Sequence, residues 1–167
     1  ETLEDTFGGT VGWTLDDSNS GFNLPRHHLL EHFRSKGTPL YSKSVGRLIN
    51  PLGALTAVAE GRVDVAPVDG FCHDIFKADR HPVTEQTRII AVTAPSPIPA
   101  LIASSDVPAE QVGKMRDALL RAHLEPSLKQ YLEKALIARF AAVEPEVYDY
   151  TRQIAEAALN AGYPVPA

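Results

Sequence analysis

A single cysteine, Cys72, stands in this 167-residue chain, so an internal disulfide is excluded and the redox compartment is left open. Lys and Arg number 16 against 21 Asp and Glu, a formal charge of −5, and the basic residues are scattered. The dense positive stripe that a nucleic-acid backbone requires is missing, so nucleic acid is not an expected partner. No apolar run approaches the roughly 20 residues needed to span a bilayer. Catalytic signatures are lacking too: there is no GxSxG elbow, no HExxH helix and no Walker loop, and Cys72 has no evident base partner. His28 and His32 lie four apart with Glu31 between them, a spacing that suits metal on one helix face, but no third ligand follows. The expectation is a protein that is not an enzyme and holds no cofactor or metal. The chain opens Glu1-Thr2-Leu3-Glu4-Asp5, without methionine or apolar leader, which reads as a processed product of a longer chain.

What is present is an ordinary globular composition, 44% apolar and 22% charged, at a length that suits one average domain or two small lobes. The first part alternates strand and helix patterns: strand 9–15, helix 25–36, strand 40–45, helix 51–60, strand 63–68, helix 71–78 and strand 87–93. Leu24, His28, Leu29 and Phe33 give the first helix its apolar face, and Leu52, Leu55, Val58 and Ala59 the second. Asn50-Pro51 suits a helix start and Gly61 a helix stop. Such alternation predicts an α/β fold with helices on the sheet. The pattern then breaks at Ala94-Pro95-Ser96-Pro97-Ile98-Pro99, which is either a lobe boundary or an ordinary rigid turn. Beyond it come a short strand at 101–104 and three helices, 108–121, 125–138 and 145–161.

The most informative stretch is Asp17-Ser18-Asn19-Ser20-Gly21, between the first strand and the first helix. A helix start leaves N–H groups unpaired and carries the positive end of the helix dipole, so it favours an oxyanion or carboxylate. Ser18, Asn19 and Ser20 suit such a ligand, and equally suit plain helix capping. A second stretch, Glu60-Gly61-Arg62-Val63-Asp64-Val65-Ala66-Pro67-Val68-Asp69, reads as helix end, buried strand and a terminal acid. In open α/β sheets ligands sit beyond the carboxyl ends of strands, which puts Asp69 at the same edge as the 18–21 turn. Asp69 either accepts a hydrogen bond from a ligand or caps the following helix. Asp64, inside the strand, reads as structural.

These residues resemble the phosphate/phosphonate-binding proteins of ABC transporters. Ser18-Asn19-Ser20-Gly21 before a helix looks like that family's anion turn, and Glu60–Ala66 with Asp69 is similar to its helix–Gly–strand segment. Thr93-Ala94-Pro95-Ser96-Pro97-Ile98-Pro99-Ala100-Leu101 resembles its return crossover, and the tail from Pro108 to Tyr150 matches its C-terminal helices in order and spacing. The resemblance implies a type 2 periplasmic-binding fold, with 1–95 as the ligand-binding second lobe and 96–167 as the returning part of the first lobe. It also implies a periplasmic, solute-binding component of an ABC importer that takes a small anionic solute such as phosphate or a phosphonate and meets a membrane permease. The same fold serves as a ligand-sensing effector domain of regulators and sensor kinases, which is the alternative reading.

Two departures from the family bear on the site. Where members carry a Gly-Ser-His turn, this chain reads Gly46-Arg47-Leu48-Ile49-Asn50-Pro51, so Arg47 or Asn50 takes the place of the histidine as donor to the anion. Arg47 is otherwise a solvated surface arginine. The family's opening strand–helix units also have no counterpart, which leaves 101–104 without its usual sheet partners and predicts self-association into a homo-oligomer.

Overall fold

The computed structural model describes residues 2–167. Strands β1 (Thr10–Gly12) and β2 (Lys43–Val45) pair in parallel, with Val11 opposite Ser44. On the other side of β1, Val65 forms a parallel bridge to Val11, and the Gly12 amide donates to the Val65 carbonyl at 2.7 Å. The expected strand 63–68 contracts to this bridge for a local reason. The next ladder donor on that side falls at residue 67, and Pro67 has no N–H. Asp64 is structural, as its place in the segment suggested: its carboxylate accepts from the Thr10 amide at 2.6 Å and pins the segment to β1.

Each of these three parallel segments is followed by a helix. A π-helical turn (Asn19–Asn23) runs without a break into α1 (Leu24–Lys36). Helix α2 (Pro51–Ala59) starts at Asn50-Pro51 as expected, and Gly61 takes φ +68° just past its end, where a β-carbon is disfavoured. Helix α3 (Gly70–Ala78) follows Asp69. On α1 the buried positions are Leu24, Arg26, Leu29 and Leu30, while His28 and Phe33 are half-buried. On α2 they are Ala54, Leu55 and Ala57, with Leu52, Val58 and Ala59 half-buried.

The chain forms two compact units. One comprises residues up to Ser96 together with Tyr148–Ala167; the other is Pro97–Val147. In the first, Val11, Leu29, Leu30, Leu40, Tyr41 and Tyr163 form the core. Helix α6 (Asp149–Asn160) packs on α1, and Phe33 stacks on Tyr163 at 4.4 Å. The last residues are tied in by backbone: the Leu40 amide donates to the Ala167 carbonyl at 2.9 Å and the Ser44 hydroxyl to the Pro166 carbonyl at 2.6 Å.

The second unit holds α4 (Ala109–Arg121) and the short α5 (Lys129–Lys134). The expected helix 125–138 is reduced to α5, because Pro126 opens a 3-10 turn (Pro126–Leu128) and Leu136 turns left-handed at φ +54°. Likewise 145–161 divides into a 3-10 turn (Pro145–Tyr148) and α6. The expected strands 87–93 and 101–104 are irregular chain. Their Ile, Val and Leu content favours strands only where a partner completes the ladder, and neither segment pairs with one among the described residues.

Candidate functional site

Because β1, β2 and the Val65 segment run parallel, the turns that leave them lie at one sheet edge, and three capped helix starts stand there. Ser18 caps the helical run that becomes α1, its hydroxyl oxygen accepting from the Gly21 amide at 3.0 Å. Asn50 caps α2 by accepting from Gly53 at 2.8 Å. Asp69 caps α3 by accepting from the Cys72 amide at 3.1 Å. The positive ends of three helices therefore point to the edge where ligands bind in open α/β sheets.

The 18–21 turn is built for close packing. A β-carbon on Gly21 would lie 1.8 Å from the Thr14 hydroxyl oxygen, so only glycine fits. The Thr14 amide donates to the Gly21 carbonyl at 3.2 Å, while its own hydroxyl, on a residue 4% exposed, has no hydrogen-bond partner among the described residues. Asn19 donates from its side-chain amide to the Ser96 hydroxyl at 2.9 Å and accepts from Asn23 at 3.3 Å. Ser20 is half-buried, and its hydroxyl makes no hydrogen bond among the described residues. The main-chain N–H groups of Asn19 and Ser20 belong to the first turn, which has no intrahelical acceptors.

Arg47 is exposed, in a left-handed conformation at φ +60°, and Ile49 nearby has φ +70°. A β-branched residue there costs on the order of 1–3 kcal/mol. The bend is held by the Leu48 amide, which donates to the Trp13 carbonyl at 3.1 Å, and by the Asn50 amide, which donates to the Leu48 carbonyl at 2.8 Å. Among the described residues no hydrogen bond joins the 18–21 turn to Arg47, Asn50 or Asp69; what they share is a sheet edge. A groove of about 230 Å³ lies on the flank of α1, lined in part by His27, His28, Glu31 and Arg34 with Thr93 and Ala94, and includes none of the expected site residues. His32 packs edge-on to Phe7 and approaches Glu4 at 3.9 Å.

Arg26 is the residue that sequence reasoning missed. Only 5% exposed, it donates to the Pro164 carbonyl at 2.7 Å, to the Asn23 side-chain oxygen at 3.1 Å and more weakly to the Ala155 carbonyl at 3.5 Å. Its guanidinium lies 4.8 Å from the centre of the Phe22 ring, and burial pulls its pKa below the ordinary value. The signal was the series Phe22, Arg26, Leu29 and Leu30, which places Arg26 on the buried face of α1 by helical spacing.

Comparisons with known proteins identify the family and the fold. The family described as the periplasmic substrate-binding protein of phosphonate ABC transporters matches residues 1–148. No curated protein sequence matches the chain. Among solved structures, the chain is similar to a binding-protein component of an ABC phosphonate transporter from Pseudomonas aeruginosa, at 19% identity and a TM-score of 0.71, over 96% of this chain and 52% of that one. It is also similar to a Xanthomonas citri protein solved with ATP, at 19% identity and a TM-score of 0.63, over 96% of this chain and 62% of that one. The chain thus spans about half to three-fifths of the length of these proteins, and the likeness shows a partial type 2 periplasmic-binding fold. With nearly nine-tenths of its residues inside the match, the chain belongs to the family of periplasmic substrate-binding proteins of phosphonate ABC transporters.

Proposed function

We propose that this chain is the solute-binding component of an ABC importer and that it holds a small oxyanion, a phosphonate or phosphate, at the 18–21 turn. The observation that carries the reading is the helix start itself. Its first turn contains no acid, its amides lack intrahelical partners, and the half-buried Ser20 hydroxyl is free to donate. Ser18 accepts from Gly21 through its oxygen and keeps its proton for the ligand; one amide hydrogen of Asn19 remains as well. Asn50 and Asp69 spend their side-chain oxygens on caps, so their part is to orient α2 and α3. Arg47, exposed and unpaired among the described residues, is the cation available to a ligand reaching across the edge.

The family membership supports transport over the effector-domain alternative, and it supports a periplasmic location with a membrane permease as partner. No helix among the described residues is long and apolar enough to cross a membrane. The family is one of binding proteins and not of enzymes. Assignment of 1–95 to the family's second lobe and of 96–167 to the returning first lobe is part of the same proposal, with α6 packing back on α1. Self-association is proposed on the exposed Leu101 and Ile102, 71% and 93% accessible; light scattering that gives a monomer at every concentration removes it.

The test is thermal unfolding against phosphate, methylphosphonate, sulfate and small carboxylates, in a buffer free of all of them. A solute bound only by the folded chain raises the midpoint with its concentration. The expected result is a dose-dependent rise with methylphosphonate or phosphate that Ser20→Ala weakens by about 1–3 kcal/mol of binding. A rise that Ser20→Ala leaves unchanged returns Ser20 to a plain place on the helix, and no rise with any anion rejects the reading.

A further inference from the structure

A charge buried in a protein is stabilised when an opposite charge lies beside it. Arg26 lies about two turns into the helical run that begins at Asn19, and it is buried there. Among the described residues no carboxylate pairs with it: its partners are two carbonyls, the Asn23 amide oxygen and the Phe22 ring. Its Nε–H has no acceptor among the described residues. The helical run 19–36 has no acid in its first turns, and Asp16 and Asp17, which precede the cap, are exposed and do not pair with it. An isolated buried charge costs several kcal/mol, and that cost falls when an opposite charge arrives nearby.

A chain of hydrogen bonds leads from this charge to the turn. Arg26 donates to the Asn23 side-chain oxygen, and the Asn23 amide donates to the Asn19 oxygen at 3.3 Å and to the Thr151 carbonyl at 2.8 Å. Asn19 is thereby held by its oxygen, with its amide donating to Ser96. A second buried group adjoins the turn: the Thr14 hydroxyl has no partner among the described residues and lies where a β-carbon on Gly21 would meet it.

We infer that Arg26 is the buried counter-charge of the anion at the 18–21 turn, a positioning residue that acts on the ligand through Asn23 and Asn19. The inference rests on the reading of the turn as an anion site and adds what sets its charge preference. A dianion answers the uncompensated guanidinium plus the helix dipole better than a monoanion does.

The experiment is calorimetric titration of the full chain with methylphosphonate and with its monomethyl ester, at a pH above the second ionisation of methylphosphonate, where the ester carries one charge less. Wild type is expected to favour the dianion. Arg26→Gln, confirmed folded by circular dichroism, is expected to lower that preference about tenfold or more while weakening the ester far less. Should Arg26→Gln not fold, Asn23→Asp decides, since it gives the buried guanidinium a carboxylate of its own; the preference is again expected to fall. A folded variant of either kind that keeps the wild-type preference overturns the inference. Wild type that binds neither compound overturns the anion reading and this inference together. Wild type that binds, with Ser20→Ala weakened and Arg26→Gln unchanged in preference, overturns this inference alone.

Discussion

The unit formed by residues up to Ser96 with Tyr148–Ala167 and the unit Pro97–Val147 have different interiors. In the first lie fifteen of the sixteen buried hydrophobic residues among those described, around β1, α1, α2 and α6, and even the chain's last residues are hydrogen-bonded into place. In the second, the sole buried hydrophobic residue among those described is Ala122, while Leu101, Ile102, Met115, Leu124 and Tyr131 are each more than half exposed. The two stretches do not differ in kind of residue so much as in partners. A strand-forming run such as Ala100-Leu101-Ile102-Ala103 becomes a strand only beside another strand. The helix α4 has an apolar stripe, and none of its residues is buried.

The contrast can be tested first by truncating the cores. Leu30→Ala, at a fully buried position, is expected to cost about 2–5 kcal/mol in urea unfolding, whereas Ile102→Ala is expected to stay within about 0.5 kcal/mol. Equal effects would abolish the distinction. Next in size is Gly21→Ala, whose β-carbon meets the Thr14 hydroxyl oxygen; a loss of about 3 kcal/mol is expected in the same assay, and of the anion response with it.

The alkaline limb of stability reports on the first unit's core. Burial pushes the Tyr163 phenol up to about 12 from its ordinary 10. Below pH 10 its contribution is complete. As pH rises from about 10 to about 12 the unfolded chain releases this proton and the folded chain keeps it, so stability falls across that window. Tyr163→Phe is expected to flatten that part of the pH profile. Asn50→Ala removes one cap and is expected to cost about 1 kcal/mol by the same unfolding measurement. The smallest expected effect is chemical. Burial first, then the charge of Asp69, holds the Cys72 thiol above its ordinary pKa. Asp69→Asn is expected to move the pH midpoint of Cys72 alkylation downward with little change in stability, since Asn also caps; an unmoved midpoint leaves burial as the cause.

Much of the candidate site was legible because its signals are local. Ser18, Asn50 and Asp69 are short polar side chains before helical runs, and each caps within three residues of itself. The 18–21 turn was found by the same rule, although its use as a ligand site is a proposal. Arg26 was hidden by its charge, which usually marks an exposed position, and its burial depends on Pro164 and Ala155 more than a hundred residues away. Thr14 was hidden because a hydroxyl in a strand exit has no local mark of being covered by Gly21.

By itself the sequence determined the start of α2 at Asn50-Pro51, the stop near Gly61, the strand–helix alternation of the first segments and the family resemblance, while the first helical run begins at Asn19, six residues ahead of the expected Pro25. These depend on caps, proline and glycine, whose preferences act within a turn of chain. The tertiary structure alone decided which β-rich runs pair, how far the Val65 segment extends beside β1, and that Arg26 lies inside with no carboxylate partner among the described residues. Pairing and desolvation are made by groups distant in sequence, and their free energy exists only once the chain has brought those groups together.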